Sequence, residues 1–238
     1  MSAPLQADLR NRLLALMAAE DFALLERHLE PLAQKKSFVL VEADGSVDHV
    51  YFPETSIGSI IATSPEGLEV EAGIFGFEGV GPLPAVFGLD RSPHCVMIQV
   101  PGTAYRIERT ALGRAMERSG SLRDLLLRFA HVQGVQSNFT ALSNAVHPVD
   151  ERLARWLLMG HDRTFGNELA LTHEFLAIML AVRRPSVTTA LHVLEGNGFI
   201  RAERGFITIR NRRGLEEFAH DAYGQPEEEY RRLIGPMN

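Results

Sequence analysis

The 238-residue chain has one cysteine, one tryptophan and no lysine besides Lys35 and Lys36. Each shortage excludes something. A lone thiol, Cys95, rules out an internal disulfide framework and an iron–sulfur cluster held by several thiolates of one chain. No apolar run approaches the roughly 20 residues that span a bilayer, so no membrane association is expected. The opening MSAPLQADLRNRLLALMAAED has an apolar patch broken by acids and arginines. It lacks a basic leader region and a small-residue cleavage site, so cytoplasmic residence is the default expectation. There is no nucleophile–base pair, no metal-ligand spacing and no phosphate loop. Gly76, Gly79 and Gly81 are spaced G-x-x-G-x-G, with no strand-to-long-helix unit around them. The nine histidines are dispersed, and His94-Cys95 is the one suggestive pair. Cys95, in CVMIQV, reads as a buried strand residue. An enzyme is therefore not expected, nor a metal site.

What is present suits two compact domains: 45% of residues are hydrophobic, and the formal net charge is −6. The charge is unevenly spread. Residues 1–148 carry 12 Lys+Arg against 17 Asp+Glu, whereas residues 183–213 carry seven arginines against Glu195 and Glu203. Such a patch is either an electrostatic footprint for nucleic acid or a solvated arginine-rich surface.

Residues 8–34 have helical spacing, with Leu13, Leu14 and Met17 followed by Phe22, Leu24, Leu25, Leu29 and Leu32, and two short helices fit. From Ser37 the pattern becomes SFVLVE, HVYFPE, IGSIIATS, LEVEAGIF, CVMIQV and TAYRIE, separated by Gly, Pro and Asp turns. That pattern predicts an antiparallel barrel or roll. ALGRAMERSG predicts a short helix ending at Gly120. A long helix then carries the stripe Leu125, Phe129, Val132, Gln136, Phe139, Ser143 and Val146 at alternating spacings of four and three. A second stripe, Leu122, Leu126, Val135 and Leu142, lies beside it. Either the first stripe is the seam with a second copy, or both form one wide core-facing surface. Pro148 ends the helix and marks the hinge. VDERLARWLLMG follows as an amphipathic helix, and HDRTFGNEL as a connector.

The segment LTHEFLAIMLAVRRPSVTTALHVLEGNGFIRAERGFITIR carries the chemistry. Thr172 is placed to cap a helix, with Glu174 in its first turn. A turn around Ala181 and Val182 leads to a second helix that tolerates Pro185 in its opening turn. Val187, Leu191 and Leu194 point inward, which leaves Arg184, Ser186, Thr188, Thr189 and His192 outward or on the flanks. Gly196 and Gly198 end this helix, and FIRAERGFITIR is a hairpin with Arg204-Gly205 near its tip. Two helices, a tight turn and a hairpin make a winged helix-turn-helix. The arginines border the helix start and the wing, where a DNA backbone would pass.

In DHVYFPETSIGSI, the long helix, PVDERLARWLL, LTHEFLAIML, VRRPSV and LHVLEGNGFI, the sequence resembles the CRP/FNR superfamily of bacterial transcription regulators over nearly its whole length. The resemblance implies an α+β chain. Residues 1–120 would form N-terminal helices and a jelly-roll-like β-roll sensor, a double-stranded β-helix. Residues 121–147 would form a dimerisation helix with a seam of Leu125, Phe129, Val132, Gln136, Phe139 and Val146. Residues 148–238 would form a winged helix-turn-helix with a C-terminal tail. It implies a homodimer on palindromic double-stranded DNA, and it allows RNA polymerase as a further partner. The family's base-reading arginine falls on Arg184, with backbone contacts at Thr172, Glu174 and Arg183. Its glutamate contact falls on Pro185, and a second reading arginine on Thr189, so the family's best-known operator is not implied.

In the roll, the resemblance places a cyclic-nucleotide ribose hydroxyl on Glu78, its phosphate on Arg91 and Ser92, and interface contacts on Ser137 and Asn138. Gly76-Phe77-Glu78 replaces the family's adjacent Gly-Glu pair, the loop to Arg91 is longer, and Pro93 follows Ser92. A cyclic nucleotide, another small effector and no ligand all remain open. So does a sensing module whose helix-turn-helix does not read DNA.

Overall fold

The computed structural model describes residues 4–237. Two short helices, α1 (Arg12–Leu16) and α2 (Ala19–Leu25), open the fold. Asn11 starts α1 by accepting the Leu14 N–H at 3.2 Å. The helical spacing expected through Leu32 stops earlier. After a single 3-10 turn at Glu26–His28 the chain enters β1 (Glu30–Gln34). Pro31 explains the change, because it disfavours helical geometry at Glu30 and donates no N–H.

β1 is followed by β2 (Val39–Val41), β3 (Gly45–Ser46), β4 (His49–Pro53), β5 (Ile57–Thr63), β6 (Glu69–Phe75), β7 (Arg91–Ser92), β8 (Cys95–Val100) and β9 (Gly102–Glu108). They pair antiparallel in the orders β1-β9-β4 and β2-β8-β5-β6, with β3 on β7. Neighbours so far apart in sequence define a roll rather than a meander. Val41, Val50, Phe52, Phe75, Val96 and Ile107 fill its interior.

α3 (Arg109–Arg118) and α4 (Gly120–Val146) follow, and Ser119 is the break between them. Its hydroxyl accepts the Leu122 N–H at 3.1 Å and donates to Asp21, which Ser121 also reaches at 2.6 Å. His147 leaves the helix with ψ 145°, as the following proline requires.

Part of the seam expected on α4 is taken up inside the chain, while Val146 of that seam stays exposed. Phe129, Val132 and Gln136 are buried within the chain's own fold, and Leu125 and Phe139 are half-covered. Phe129 lies so close to Gly79 that a Cβ there would sit 2.1 Å from its ring. Gln136 accepts the Ile74 N–H of β6 at 2.7 Å. Leu122 and Leu126 of the second stripe are buried too, so the first half of α4 has one wide core-facing surface. The large apolar side chains left exposed on α4 are Leu127, Leu142 and Val146.

The remainder comprises α5 (Val149–Asp162), β10 (Glu168–Leu169), α6 (His173–Met179), α7 (Arg184–Gly196), β11 (Ile200–Glu203), β12 (Phe206–Ile209), α8 (Arg212–Ala219) and α9 (Gln225–Leu233). The expected connector HDRTFGNEL contributes β10, which adds a third strand beside β12 and buries Leu169. Leu153, Trp156, Leu157, Leu176, Val187, Leu191, Leu194 and Ile207 share the second core. α9 then turns back and packs on α4, with Tyr230 fully buried in the core of the roll.

Candidate nucleic-acid interface

α6 begins where expected: Thr172 Oγ1 accepts the Phe175 N–H at 3.3 Å. Its end is a tight reversal in which Ala181 N–H donates to Ile178 O (3.1 Å) and Val182 N–H to Ala177 O (3.0 Å). Ala181 sits at φ 49°, the left-handed region, where a Cβ costs on the order of 1–2 kcal/mol. α7 starts at Arg184 with Pro185 in its first turn, and buries Val187, Ala190, Leu191 and Leu194. Arg183, Arg184, Pro185, Thr189 and His192 are exposed, while Ser186 and Thr188 are half-buried.

α7 and the wing face each other across a cleft of about 700 Å³. Thr172, Glu174, Arg184, Thr188 and His192 line one wall, and Arg204 with Gly205 the other. Arg183, Pro185, Ser186 and Thr189 are on the same helix start, outside that lining. Gly205, at φ 85°, lets the hairpin reverse over two residues, so Arg204 sits at the tip. Glu195 holds the wall in place by accepting the Ala202 N–H of β11 at 3.0 Å.

The electrostatics are mixed. Arg184 pairs with Glu174 at 2.7 Å, both well exposed, and Arg201 with Glu203 at 2.7 Å. The N–H of Glu174 itself at the helix start, and then the Arg184 guanidinium, hold that carboxyl below its usual range. Thr188 and Thr189 hydroxyls donate back to Arg184 O (3.3 Å) and Pro185 O (3.2 Å). Arg183 at the helix start and Arg204 at the wing tip have no ion-pair partner among the described residues, so positive charge there is unneutralised.

The residues expected to hold an effector are placed differently. Glu78 does not face a ligand: it is 1% exposed and accepts from Arg163 Nε at 2.7 Å and from the Gly76 N–H at 2.9 Å. Both carboxylate oxygens are thus used inside the protein. Arg91 is on the β3–β7 ribbon, donating through Nε to Asp44 O at 3.1 Å, and Ser92 donates to His94 O at 2.7 Å. Ser137 donates to Gln133 O at 3.1 Å, next to Gly73 of β6, while Asn138 is exposed.

The polar contacts between the two domains were not legible in the sequence. Arg163 and Glu78 are 85 positions apart and both almost fully buried. Tyr230 Oη donates to Glu78 O at 2.9 Å, and Arg155 Nη2 donates to Thr140 Oγ1 at 3.1 Å. Trp156 Nε1 donates to Glu71 Oε1 at 2.6 Å, and Ser59 bonds the other oxygen. Burial pushes the Glu71 carboxyl up to about 7, against the opposing pull of those two donors and of Arg155 and Arg163. The sequence offers Trp156 only as part of an amphipathic helix; its partner Glu71 comes from β6, a strand that the sequence does not pair with α5.

A roll, a long helix and a winged helix-turn-helix in this order make up a CRP-like fold. Residues 151–218 match the Crp-like helix-turn-helix domain. Among solved structures, FixK2 from Bradyrhizobium japonicum is similar at 17% identity and a TM-score of 0.68, over 81% of this chain and 98% of that one. A putative transcriptional regulator of the crp/fnr family from Eubacterium rectale is 18% identical, with a TM-score of 0.62 over 85% and 95% of the two chains. The c-di-GMP-responsive global regulator CLP of Xanthomonas campestris is 16% identical, with a TM-score of 0.63 over 81% and 99%. No curated protein matches the chain by sequence. Among the described residues no helix is long and apolar enough to cross a membrane, and no group of three or more His, Cys, Asp or Glu is arranged to hold a metal.

Proposed function

We propose that the protein is a homodimeric, sequence-specific regulator that reads duplex DNA with α7 and grips phosphates with the wing. The observation that carries this reading is the cleft between α7 and the wing, with Arg184 on one wall and, on the other, Arg204, which has no ion-pair partner among the described residues. An α-helix enters a major groove with its first turn toward the base edges. Arg184 would exchange Glu174 for a guanine edge, Pro185 would give apolar contact to a thymine methyl, and Arg183 would meet a phosphate.

For the dimer, the supporting feature is the face of α4 that the chain leaves uncovered. Leu127, Leu142 and Val146 are exposed there, together with small Gly134, Ala141 and Ala145 that permit close helix approach. A two-fold pair places two recognition helices on half-sites about one helical turn apart, hence a palindromic operator. Contact with RNA polymerase belongs to the same reading.

Fragments selected from genomic DNA by the purified protein give the operator. Isotherms on it at several salt concentrations then test the mode: log affinity should fall steeply with log salt if several phosphates are contacted. Arg184→Ala should cost roughly 1–3 kcal/mol on the operator and relax preference at one base pair per half-site. Equal loss on scrambled duplex would sink the reading role. Leu142→Asp with Val146→Asp should give monomers in light scattering; a persistent dimer would place the seam elsewhere.

A further inference from the structure

A second cleft, of about 650 Å³, opens where the first residues of the chain meet the end of α5. Arg10, Arg12 and Phe77 wall it from the roll side, and His161, Phe165 and Arg212 from the DNA-binding domain. Its volume suits a small ligand. Two properties of the lining suit a bound ligand.

The first is unneutralised charge. Neither Arg10 nor Arg12 has a carboxylate partner among the described residues. Glu54, the neighbouring acid, gives its oxygens to the backbone N–H groups of Arg10 (3.0 Å) and Asn11 (2.9 Å). Arg12 donates through Nη2 to Pro236 O at 3.1 Å, but its Nε is buried with no acceptor in reach. Arg212, by contrast, is already held by Asp162 (2.6 Å), Glu216 (2.8 Å) and His161 Nδ1 (2.7 Å), so it is wall rather than donor.

The second is aromatic. Phe77 and Phe165 stack with centroids 5.0 Å apart at 29°, and the Arg10 guanidinium lies 4.8 Å over the Phe165 ring. Phe165 is 56% exposed, an apolar face turned to solvent beside the two arginines.

We propose that this cleft binds a small organic anion, a carboxylate or phosphate monoester on a flat ring, with Arg12 and Arg10 holding the anion and the phenylalanines packing the ring. Guanidinium forks match both oxyanions, and ring faces accept an offset aromatic neighbour. Walls from both domains make occupancy a link between them, in a place distinct from Arg91 and Ser92. The proposal does not depend on DNA binding.

The purified full chain is titrated by calorimetry and saturation-transfer NMR with benzoate, phenyl phosphate, inorganic phosphate and benzyl alcohol. At least one aromatic anion should bind saturably and at least tenfold tighter than the ringless and the uncharged probes, about 1.4 kcal/mol. The benzoate and phenyl phosphate arms tell carboxylate from phosphate. Arg12→Gln should weaken that probe tenfold or more, and Arg128→Gln, on α4 outside the cleft, should leave it unchanged. Arg10→Ala, an exposed position, should also weaken it and keeps the test decisive if Arg12→Gln fails to fold. No saturable binding of either aromatic anion, equal affinity for benzyl alcohol or inorganic phosphate, or affinity unchanged in the arginine variants would overturn the proposal.

Discussion

Replacing Glu71 by glutamine should stabilise the protein, and more so as the pH rises. The side chain is fully enclosed between β6 and α5, with Trp156 Nε1 on one oxygen and Ser59 on the other. Ser59 is also 2.9 Å from Gln99 Oε1. One hydroxyl proton thus serves two acceptors when Glu71 is ionised. A protonated Glu71 donates to Ser59 Oγ, which frees the Ser59 proton for Gln99, and every group is then satisfied. Proton counting therefore agrees with a carboxyl pushed up to about 7 from its ordinary 4.5. Below 4.5 the group is protonated folded or unfolded, and it contributes nothing to pH dependence. Between 4.5 and 7 the unfolded chain ionises first, so stability falls as pH rises, and above 7 the loss is complete. The difference amounts to roughly 3 kcal/mol. The glutamine of Glu71→Gln would keep the Trp156 bond, donate to Ser59 and remove the ionisation. Urea unfolding of both proteins at pH 5 and pH 8 should show the variant's advantage growing by roughly 2–3 kcal/mol at the higher pH. An advantage independent of pH would refute both the proton count and the raised carboxyl.

The ion pair of Glu78 with Arg163 is closed to water, so Glu78→Gln removes the carboxylate in contact with a buried guanidinium and leaves it only the charges of Asp162 and Glu227; denaturant titration should show a loss of about 3 kcal/mol. Ala181→Gly removes the Cβ from a left-handed residue and should raise stability by roughly 1 kcal/mol in the same measurement; a neutral or destabilising result would show that the turn relaxes around Ala181. Arg204→Ala at the wing tip should weaken operator and random duplex alike and lower the salt slope by about one unit per protomer contact. A sequence-selective loss there would make Arg204 a base reader.

The helix-turn-helix was legible because its signals are local. Thr172 caps within three residues, Pro185 fits a first turn, Val187, Leu191 and Leu194 repeat at helical spacing, and Gly205 supplies the one left-handed residue of the wing tip. Six of the nine strands of the roll were legible for the same reason; β1 lay in a run read as helical, β3 and β7 are two-residue pairings without a local signal, and the pairing order was not legible. The sequence by itself also determined the break at Pro148, whereas the helical spacing of residues 8–34 hid the break at Pro31, and an alanine gives no sign of the left-handed backbone at 181. It could not say which face of α4 turns inward, because Phe129 and Leu142 are equally apolar and only the glycine at 79 made room for one of them. Nor could it assign Glu78. An acid beside glycines reads as a ligand contact until an arginine 85 residues away is packed against it. Most of the interdomain bonds, and the bond from the returning α9, join groups 85 to 152 positions apart, a range over which no periodicity, cap or turn signal extends. Tertiary structure alone decided them, because a buried charge or donor is indifferent to sequence distance and settles on whichever partner the packing brings within about 3 Å.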